Sequence, residues 1–598
     1  MFRGRAGALL GSDPRREAPS GMDASKAPEH ALRVGLAQIN TVVGDPAANV
    51  ARVLAAVDEA AAQAADVLVF PELTLTGYPP EDLLLRADFV AACEQELAGL
   101  AEACRAVPLV LVGLPHPGRA GLENTVAALA GGAVRARYAK QHLPNYGVFD
   151  EARYFVGGQT PLMLALFGWR IGVTICEDIW VPDGPWLAEA RAGAELLVNL
   201  SASPFQRGRP RVRDQMLAVR ALDSEAYVAS CNLVGAQDEL VFDGTSGIYD
   251  PDGTPRARAA SFREALVMAD LDPTRVSHRR RLDRRWRTGE SVPLAELPWE
   301  AAPSVRPAAA SEVALWPDPV SELREALVLG LRDYVAKNGF GGVVLGLSGG
   351  IDSSVAAVLA AEALGPARVH GVFLPSSITS SESREDAAQL ASALGIDYRE
   401  IAIAEAFHAV QAALAPSFGD RGWDVAEENL QARLRGLLWM GLSNKFGWLV
   451  LVTGNKSEMA TGYATLYGDM AGGLAVLKDV YKEDVYALAR HMNTRQVVIP
   501  RRVLEKPPSA ELSPNQRDAD SLPPYPVLDP ILRAYVEEDL SPEALVARGM
   551  DPAAVDLAVR LVNRSEYKRR QAPIGIRVTG RAFGRDRRMP VTGHYPRR

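Results

Sequence analysis

Residues 346–354 form a glycine- and serine-rich turn between two apolar runs, and they read Gly-Leu-Ser-Gly-Gly-Ile-Asp-Ser-Ser. The run before it, Gly342–Leu345, predicts a buried strand, and the run after it, Val355–Leu364, predicts a helix. Glycines let the backbone approach phosphate oxygens, and a helix N-terminus favours negative charge. No Gly-Lys-Ser/Thr follows the glycines, so the turn is not a Walker loop. The sequence therefore predicts a phosphate-binding turn within an α/β sheet.

The bulk properties limit the class of protein. A chain of 598 residues is too long for one core, so we expect at least two domains. A net charge of −8 argues against a nucleic-acid partner, and no apolar run is long enough to predict a membrane segment. The four cysteines show no Cys-x-x-Cys spacing, which argues against disulfide scaffolds and zinc sites and favours the cytoplasm.

The first half of the chain alternates between apolar runs of strand length and Ala-rich runs of helix length, which is typical of an α/β layered domain. The predicted strands are Arg33–Ile39, Asp66–Phe70, Leu109–Leu114, Ile171–Ile175, Leu196–Leu200 and Tyr227–Val234, and the predicted helices include Ala47–Ala65 and Trp186–Ala192. We assign residues 31–275 to this domain. Residues 1–30 lack a folded pattern, and their interspersed acidic residues favour a flexible extension over a transit peptide, with Met22 as an alternative start.

The second half begins after residues 276–320, whose arginine-dense and Pro/Ala-rich composition predicts a linker. Residues 321–598 then show a second alternating pattern. It consists of the predicted helices Glu322–Asn338 and Ser381–Leu394 and the predicted strands Val369–Leu374, Tyr398–Ile403 and Trp448–Val452. This pattern predicts a parallel sheet with ligand at the carboxyl ends of its strands.

Three chemically active residues follow strand-like runs in the first domain: Glu72, Lys140 and Cys176. Taken singly, each has a bland explanation, because a lone cysteine after apolar residues is usually a small buried hydrophobe and a lone lysine or glutamate is usually exposed. Taken in the order Glu, Lys, Cys, they resemble the catalytic triad of the nitrilase-type amidohydrolases. That resemblance implies a four-layer α-β-β-α sandwich over roughly residues 31–275.

The same resemblance implies roles for these side chains. Glu72 would be the general base, because a thiol is a poor nucleophile until its proton is removed. Lys140 would stabilise the thiolate and then the oxyanion, aided by the backbone N–H of Glu177. Cys176 would attack a carboxamide, giving a thioester and ammonia, and Glu72 would activate the hydrolytic water.

The stretch from Asn145 to Arg153 resembles the glutaminase subgroup that feeds a synthetase. By that resemblance Tyr146 and Ser203 would contact L-glutamine and Glu151 would support the triad. Arg209 stands where a lysine is expected, and either cation suits the α-carboxylate of glutamine.

The second domain resembles two nested families. The Ser-Gly-Gly-x-Asp-Ser turn is similar to that of the ATP pyrophosphatases, and several later segments are similar to those of the NAD synthetases. Those segments are Glu428–Arg435, Thr453–Glu458, Gly462–Asp469, Lys478–Lys482, Lys506–Leu512, Leu522–Tyr525 and Tyr567–Arg570. A Rossmann-like parallel-sheet domain is implied.

The resemblance implies two substrate sites and a metal site in this domain. The implied ATP contacts are Gly346, Leu347, Ser348, Gly349, Gly350, Ile351, Asp352, Ser353, Thr453, Lys482 and Ser509. Nicotinic acid adenine dinucleotide would contact Asn429, Arg433, Glu458 and Lys568, and Asp352 and Glu458 would bind Mg²⁺. The tail from Arg564 carries eleven basic residues against two acidic ones, which on charge alone predicts a solvated tail; a substrate with a pyrophosphate and a carboxylate would give it a purpose.

Together the two halves resemble the glutamine-dependent NAD synthetases, which are ligases and usually homo-oligomers. The implied reaction amidates nicotinic acid adenine dinucleotide with ammonia from L-glutamine, consuming ATP. An internal channel between the sites is a further hypothesis.

Two alternatives remain at this point. One is an ATP pyrophosphatase that amidates a different acceptor, xanthosine phosphate or aspartate, although those enzymes use other glutaminase arrangements. The other is a plain amidohydrolase whose second half merely binds nucleotide; the presence of Ser348, Asp352 and Glu458 argues against it.

Overall fold

A computed structural model describes residues 30–282, 291–298, 306–513 and 516–593. Met22 and residues 1–29 lie outside the described residues, as do parts of the predicted linker and the last five residues. The strands of the first half are β1 (Leu32–Gln38), β2 (Val67–Val69), β3 (Leu109–Pro117), β4 (Leu122–Ala130), β5 (Ala133–Ala139), β6 (Met163–Leu166), β7 (Trp169–Ile175), β8 (Leu196–Ser201), β9 (Tyr227–Asn232), β10 (Val234–Gln237), β11 (Leu240–Asp243), β12 (Gly247–Tyr249), β13 (Pro255–Arg258), β14 (Ala265–Leu271) and β15 (Leu294–Glu296). Its helices are α1 (Pro46–Ala62), α2 (Ala87–Ala103), α3 (Pro185–Arg191), α4 (Arg209–Ser224) and α5 (Pro273–Leu282).

Two sheets face each other in this half. One has the strand order β14-β1-β2-β3-β4-β5, and the other has the order β13-β12-β9-β8-β7-β6-β15. Alternate residues of the central strands point into the space between them, such as Val34 and Leu36 from β1 and Val173 and Ile175 from β7, and these side chains are fully buried. The inner faces of the two sheets therefore form one apolar core.

Helices cover the outer face of each sheet. Val53 and Val57 of α1 and Leu97 of α2 are buried on one side. Trp186 of α3 and Leu217 of α4 are buried on the other. This arrangement is the four-layer α-β-β-α sandwich predicted from the sequence.

The second half is built on one sheet. Its strands are β16 (Gly342–Gly346), β17 (Val369–Phe373), β18 (Asp397–Glu400), β19 (Trp448–Val452), β20 (Leu474–Ala475) and β21 (Ile574–Gly575). Its helices are α6 (Pro319–Lys337), α7 (Ile351–Leu364), α8 (Ser381–Leu394), α9 (Ala404–Phe418), α10 (Val425–Phe446), α11 (Lys456–Thr461), α12 (Lys482–Met492), α13 (Arg501–Glu505), α14 (Tyr525–Val536), α15 (Pro542–Ala547), α16 (Pro552–Arg564) and α17 (Glu566–Arg569).

All neighbouring strands of this sheet are parallel, in the order β18-β17-β16-β19-β20-β21. The chain runs from β16 to β17 on one side and returns to β19 on the other, so the strand order reverses beside β16. Ligands bind outside the carboxyl ends of the strands at such a switch point. The predicted parallel-sheet domain is confirmed, and the glycine turn lies at this position.

The two halves share a continuous apolar contact. Phe205, Val241 and Phe262 of the first half lie in the same buried cluster as Leu323 and Leu327 of α6.

Polar contacts fix the same interface. The carboxylate of Asp333 on α6 accepts hydrogen bonds from the side chain of Asn40 at 2.7 Å and from the backbone N–H of Ala236 at 2.8 Å. Lys337 donates to the carbonyls of Thr41 and Ala236, both at 2.8 Å.

The C-terminal segment crosses back to the first half. The N–H of Arg577 donates to the carbonyl of Glu239 at 2.8 Å, and the N–H of Arg207 donates to the carbonyl of Val578 at 2.9 Å. Arg585 forms an ion pair with Glu81. Arg585 also lines a small cavity, whose other walls include Tyr78 and Glu151.

Some predicted elements differ from the structure. The predicted strand Tyr227–Val234 is two strands, β9 and β10, which break at Leu233. The predicted strand Tyr398–Ile403 lies earlier, at β18, because residues 401–403 already lead into α9. Within the predicted linker, β15 pairs in parallel with β6 and so joins the second sheet of the sandwich.

The basic C-terminal region is folded over residues 564–593 rather than solvated as a tail. Its arginines pair with carboxylates of the protein, in the pairs Arg569–Glu566, Arg570–Glu566, Arg577–Asp586, Arg581–Asp539 and Arg585–Glu81. These cations stabilise the fold, so a role in binding an anionic substrate does not explain them. Among the described helices, none combines the length and apolar content that crossing a bilayer requires.

Candidate active sites

The first site lies where strands of both sheets end. Cys176 follows β7 directly and begins a 3₁₀ turn over Cys176–Ile179, with a φ of +42° in the left-handed region. Such a conformation is unfavourable for a side chain other than glycine and is common at active sites. Lys140 follows β5 directly, and Glu72 lies three residues after β2.

Lys140 is fully buried between two carboxylates. Its ammonium donates to Glu72 Oε1 at 2.7 Å and to Glu151 Oε1 at 2.8 Å. Burial lowers the pKa of Lys140, but the two carboxylates outweigh burial and hold that pKa well above its usual value. Burial, opposed by Lys140, raises the pKa of Glu151 to about 7. The lysine is therefore a fixed cation beside the cysteine.

Two further hydrogen bonds hold the carboxylate of Glu72. The side chain of Asn124 donates to Glu72 Oε1 at 2.7 Å, and the N–H of Ala202 donates to Oε2 at 3.2 Å. Sequence reasoning missed Asn124, because a single asparagine inside β4 gives no signal of its partner.

The thiol of Cys176 is buried and receives a hydrogen bond from the hydroxyl of Ser201 at 3.4 Å. Burial raises the pKa of Cys176 strongly, Glu72 adds to the rise, and Lys140 opposes it. A protonated thiol at neutral pH needs a general base to become a nucleophile.

Asp178 connects the cysteine to the lysine, and sequence reasoning missed it. Its carboxylate accepts from the N–H of Ile175 at 3.0 Å, just before Cys176. It also accepts from the N–H groups of Gln141 and His142 at 3.1 and 2.9 Å, just after Lys140. One buried carboxylate thus fixes the distance between the two strand ends.

Charged side chains surround the mouth of this site. The hydroxyl of Tyr146 donates to the carboxylate of Glu177 at 2.9 and 3.0 Å. The guanidinium of Arg209 lies 4.1 Å from the centre of the Trp180 ring. Burial raises the pKa of Tyr146. Glu177 and Cys176 raise this pKa further and Arg209 lowers it, so the hydroxyl is close enough to all three groups for their charges to affect it.

Ser203 is buried beside the same site. Its N–H donates to the side chain of Asn232 at 2.8 Å, two residues after the end of β8. Tyr146 and Arg209 therefore lie near Glu177, and Ser203 directly follows Ala202, whose N–H binds Glu72; the roles of all three in binding glutamine stay a prediction.

The second site is the glycine turn between β16 and α7. Gly350 caps α7, and Gly349 has a φ of +74°. A side chain at Gly349 would overlap the backbone of Ser383. The hydroxyls of Ser348 and Ser353 lie 3.1 Å apart, and Ser353 donates to the carbonyl of Gly350 at 3.0 Å. The turn therefore presents N–H groups at a helix N-terminus, which suits a phosphate.

A lysine joins two carboxylates beside the turn. Lys482 donates to Asp352 Oδ2 at 2.5 Å and to Glu458 Oε1 at 3.3 Å. Burial lowers the pKa of Lys482, but Asp352 and Glu458 hold it above its usual value. Asn455 caps α11 and donates to Asp352 Oδ1 at 2.9 Å. The capping pattern of Asn455 with Glu458 three residues later was readable in the sequence, but its bond to Asp352 was not.

A cavity of about 260 Å³ opens over this turn. Its walls include the following predicted ATP or metal residues: Gly346, Leu347, Ser348, Gly350, Ile351, Asp352, Ser353, Thr453, Glu458, Lys482 and Ser509. Gly349 supports the turn but does not line the cavity. Arg435 and Trp439 of α10 line it too, and the prediction missed both. Burial lowers the pKa of Arg435 to about 10.

Three of the residues predicted for the second substrate lie beside the cavity rather than in its walls. The side chain of Asn429 accepts from Thr465 at 2.7 Å, and Arg433 donates to the carbonyl of Leu466 at 3.2 Å. Lys568 donates to the carbonyls of Gly462 and Ala464, both at 2.7 Å. All three hold the loop over residues 462–466, whose Tyr463 and Ala464 line the cavity.

The two arrangements allow different chemistry. A buried cysteine with a base and a fixed cation can attack a carboxamide and stabilise the oxyanion. A glycine turn with two carboxylates and a lysine can hold a nucleoside triphosphate with a divalent cation.

Comparisons with known proteins agree with this division. The family model for carbon-nitrogen hydrolase matches residues 33–281, and the model for NAD synthase matches residues 323–572. A relative from Aquifex aeolicus, named glutamine-dependent NAD(+) synthetase, is 46% identical and covers 94% of this chain and 100% of its own length. A relative of the same name from Thermotoga maritima is also 46% identical, over 94% of this chain and 99% of its own length.

A solved structure shares the fold over a similar length. It is the glutamine-dependent NAD+ synthetase from Acinetobacter baumannii in complex with adenosine diphosphate, with a TM-score of 0.71 and 39% identity. The match covers 94% of this chain and 98% of that one. Identity of this level over nearly the whole length shows that the chain belongs to the glutamine-dependent NAD(+) synthetase family.

Proposed function

We propose that this protein is a glutamine-hydrolysing NAD⁺ synthase. It amidates nicotinic acid adenine dinucleotide with ammonia from L-glutamine, consumes ATP, and forms AMP, pyrophosphate and glutamate in the last step of NAD synthesis. The observation that supports this most is the presence of two complete sites on one chain, a buried Cys176–Lys140–Glu72 cluster and a phosphate-binding turn beside Asp352 and Glu458.

The first half-reaction takes place at Cys176. Glu72 accepts the thiol proton while the sulfur attacks the carboxamide carbon, and Lys140 stabilises the oxyanion. The carbon–nitrogen bond breaks, the proton returns to the leaving nitrogen, and ammonia and a thioester form. Glu72 then deprotonates a water that hydrolyses the thioester to glutamate and restores the thiol.

The second half-reaction takes place over the glycine turn. The nicotinate carboxylate attacks the α-phosphorus of ATP, while backbone N–H groups and Lys482 neutralise charge on the departing pyrophosphate. Ammonia then attacks the acyl-adenylate carbon and AMP leaves, giving the amide. Free ammonia is mostly protonated at neutral pH, so the attached glutaminase provides a local source.

The second substrate is assigned to Asn429, Arg433, Glu458 and Lys568. Three of them bond to the loop over residues 462–466, whose Tyr463 and Ala464 line the cavity, so a change of this loop would bring them close to a bound substrate. Burial lowers the pKa of Lys568, which is consistent with a cation that a bound anion would stabilise.

Asp352 and Glu458 are the proposed Mg²⁺ ligands. Their oxygens are the donors that Mg²⁺ prefers, and two carboxylates with substrate phosphates are a usual set for this ion. Burial and the neighbouring Asp352 raise the pKa of Glu458 to about 8, although Lys482 lowers it. A cation bound between Asp352 and Glu458 would therefore be favoured by their combined negative charge. Bound Mg²⁺ would supply charge neutralisation to the ATP phosphates.

Residues 31–275 form the glutaminase domain and residues 321–598 form the synthetase domain, and residues 276–320 join them.

The protein is a homo-oligomer in this proposal. The exposed apolar side chains of α10, Leu437 at 67% and Met440 at 37%, fit a contact between subunits, and the mass measured by light scattering tests it. The use of ATP and the four free cysteines favour the cytoplasm.

The decisive experiment replaces the nucleophile and supplies nitrogen in two forms. With ATP, Mg²⁺ and nicotinic acid adenine dinucleotide present, Cys176→Ala should lower NAD⁺ formation from glutamine by about 10³-fold or more, because no other group can form the thioester. Formation from ammonium should stay close to that of the wild type. Product is measured by chromatography, together with AMP.

Asp352→Ala is the companion variant. It should abolish synthesis from both nitrogen sources, because its carboxylate serves only the ATP site. Loss of ammonium-dependent synthesis in a folded Cys176→Ala protein would contradict separate roles for the two sites, and release of glutamate without any AMP would favour a plain amidohydrolase.

A further inference from the structure

A further cavity lies between the two halves of the chain and shares no lining residue with either proposed active site. It has a volume of about 530 Å³, and we call it the interdomain cavity. One wall is α6 of the second half. The other walls belong to the first half and come from the loop after β1, helix α1, strand β10 and the residues just before β14. A volume of this size is enough for a small organic ligand.

The lining of the interdomain cavity is basic. Four cations and two carboxylates are its charged side chains: Arg52, Arg263, Arg332, Lys337, Glu264 and Asp333. Two of the cations belong to the first half and two to α6 of the second half. The whole chain has the opposite balance, with 65 basic and 73 acidic residues. A local excess of positive charge in an acidic protein favours an anionic partner at that place.

The two carboxylates do not occupy the arginines fully. Asp333 already accepts hydrogen bonds from two donors of the first half, at 2.7 and 2.8 Å, and Arg332 reaches it only through Nε at 3.4 Å. Glu264 accepts from the N–H of Asn40 at 2.8 Å and lies 3.7 Å from Arg52. A guanidinium has five N–H donors, so in the described part of the chain most of those on Arg52 and Arg332 remain open to a ligand.

Arg263 and Lys337 have at most a distant counter-ion. Among the residues that the structure describes, Arg263 forms no ion pair within 4.0 Å. Lys337 lies 4.0 Å from Asp333, and its ammonium donates instead to two backbone carbonyls at 2.8 Å. Burial lowers the pKa of Lys337, Asp333 opposes this effect, and Arg52 lowers the pKa further, so Arg52 and Lys337 repel each other. A bound anion would offset this repulsion.

The deeper part of the interdomain cavity is apolar. Val234, Phe262 and Leu329 line it and are buried, whereas its three arginines are exposed. Exposed cations above an apolar surface suit an anion that also carries an organic group.

We propose that the interdomain cavity binds a small phosphate-bearing anion with two or more negative charges, held by the cations of both halves. Phosphate oxygens match the planar N–H groups of arginine, which bind them in pairs. The bound anion links α6 to the first half and so stabilises the contact between the halves. Two sources carry this chemistry, free pyrophosphate and the diphosphate group of a nucleotide. The proposal goes beyond the proposed function, because no residue of this cavity takes part in either half-reaction.

The test is a calorimetric titration of the full-length protein with inorganic pyrophosphate at about 0.15 M salt, where weak surface attraction is screened. Pyrophosphate also fits the glycine turn, but no variant in this test changes that turn. The interdomain site is therefore the binding event that differs between the proteins. Arg263→Gln combined with Arg332→Gln should weaken this event at least about tenfold, the effect of losing one charge-assisted hydrogen bond or more.

Thermal unfolding gives a second measurement on the same proteins. Pyrophosphate should raise the melting temperature of the wild type more than that of the double variant, because an anion that binds only the folded state stabilises it. The matched control is Arg495→Gln combined with Arg501→Gln, which also removes two exposed arginines but from outside the cavity. This control should bind pyrophosphate as the wild type does and show the same rise in melting temperature.

A titration with ADP identifies the source of the phosphates. Tighter binding of ADP than of pyrophosphate at the interdomain site assigns the site to a nucleotide, and the reverse assigns it to the free ion.

Three results would overturn the proposal. The first is equal binding of pyrophosphate by the wild type and by the variant with Arg263→Gln and Arg332→Gln. The second is an equal loss in the control variant, which would show that surface charge attracts an adventitious ion only. The third is a wild type whose binding and melting temperature show no event beyond that of the glycine turn.

Discussion

At the scale of single residues, the first site contains more negative than positive charge. Lys140 is the one cation among the described residues that bonds to both Glu72 and Glu151, and all three side chains are buried. One ammonium cannot fully compensate two carboxylates in a medium of low dielectric. The excess falls on Glu151, whose pKa burial raises to about 7.

This charge excess predicts a pH-dependent stability difference. Between pH 4.5 and 7 the folded protein keeps a proton on Glu151 that the unfolded chain has lost, so raising the pH lowers the stability of the wild type. Glu151→Gln lacks this titration, so its melting temperature minus that of the wild type should be larger at pH 7.5 than at pH 5. Thermal unfolding at both pH values measures it.

The matched control is Glu59→Gln on α1, an exposed glutamate whose replacement should shift the melting temperature equally at both pH values. If the melting temperature of Glu151→Gln minus that of the wild type became smaller as the pH rises, Glu151 would not hold its proton in the folded protein as assigned. The same variant should also lose most glutaminase activity, because Lys140 would lose the negative charge of one of its two partners.

Residues at strand ends were the predictable part of the sites. Glu72, Lys140 and Cys176 each follow an apolar run, and their order resembles a known catalytic triad; the structure places each of them just after a strand. Asn124 and Asp178 were not predictable, because their importance comes from partners that are distant along the chain. Asp178 bonds to residues 36 and 37 positions away, and no local pattern records that distance.

At the scale of elements, the turn between β16 and α7 depends on backbone conformation. Gly349 has a φ of +74°, and a side chain there would overlap the carbonyl of Ser383. The turn is therefore fixed both by its own torsion angles and by its contact with α8.

Gly349→Ala should destabilise the protein by about 1–3 kcal/mol, from left-handed strain plus the overlap, and should weaken ATP binding because the turn must shift. Gly395→Ala is the matched control, since Gly395 has a φ of +66° but no neighbour within 4 Å of the added carbon. It should lose stability by about 1 kcal/mol and keep its ATP affinity. Calorimetric titration with ATP distinguishes the two, and equal affinities would contradict the role of the turn.

Elements with simple patterns were predicted well, and those with mixed patterns were not. The bounds of α8 and β19 match the prediction to the residue, because each has a clear apolar period and a distinct end. Strand β15 was missed because three residues in a proline-rich stretch carry no strand signal. The break between β9 and β10 was hidden because the two strands follow each other in one mostly apolar segment without a glycine or proline between them.

At the scale of the whole molecule, the two halves behave as one packed body at α6. Phe205 and Val241 lie in the same buried cluster as Leu327, and Asp333 bonds to the opposite half through both a side chain and a backbone N–H. Sequence reasoning could not predict this interface, because each half has its own apolar pattern and nothing in the chain records which faces meet.

Asp333→Ala should reduce the cooperativity between the halves. It leaves the buried N–H of Ala236 without an acceptor, which costs about 1–3 kcal/mol, and that loss falls on the interface alone. Calorimetry of Asp333→Ala should show two separate unfolding transitions, one for each half. In the wild type these transitions should coincide or lie closer together in temperature. Arg332→Ala removes only a half-exposed ion pair to Asp333 at 3.4 Å, so it should leave the profile nearly unchanged. The same splitting in both variants would argue against the assigned interface.

The returning C-terminal segment has a consequence for biosynthesis. Arg577 and Arg585 bond to Glu239 and Glu81, yet they leave the ribosome after every strand of both sandwich sheets. A nascent polypeptide whose two sheets have already folded around Cys176 still lacks the C-terminal segment that contacts Glu81 and Glu239. The first half therefore gains its full set of contacts only after the second half of the same chain, which uses the released ammonia, has been translated.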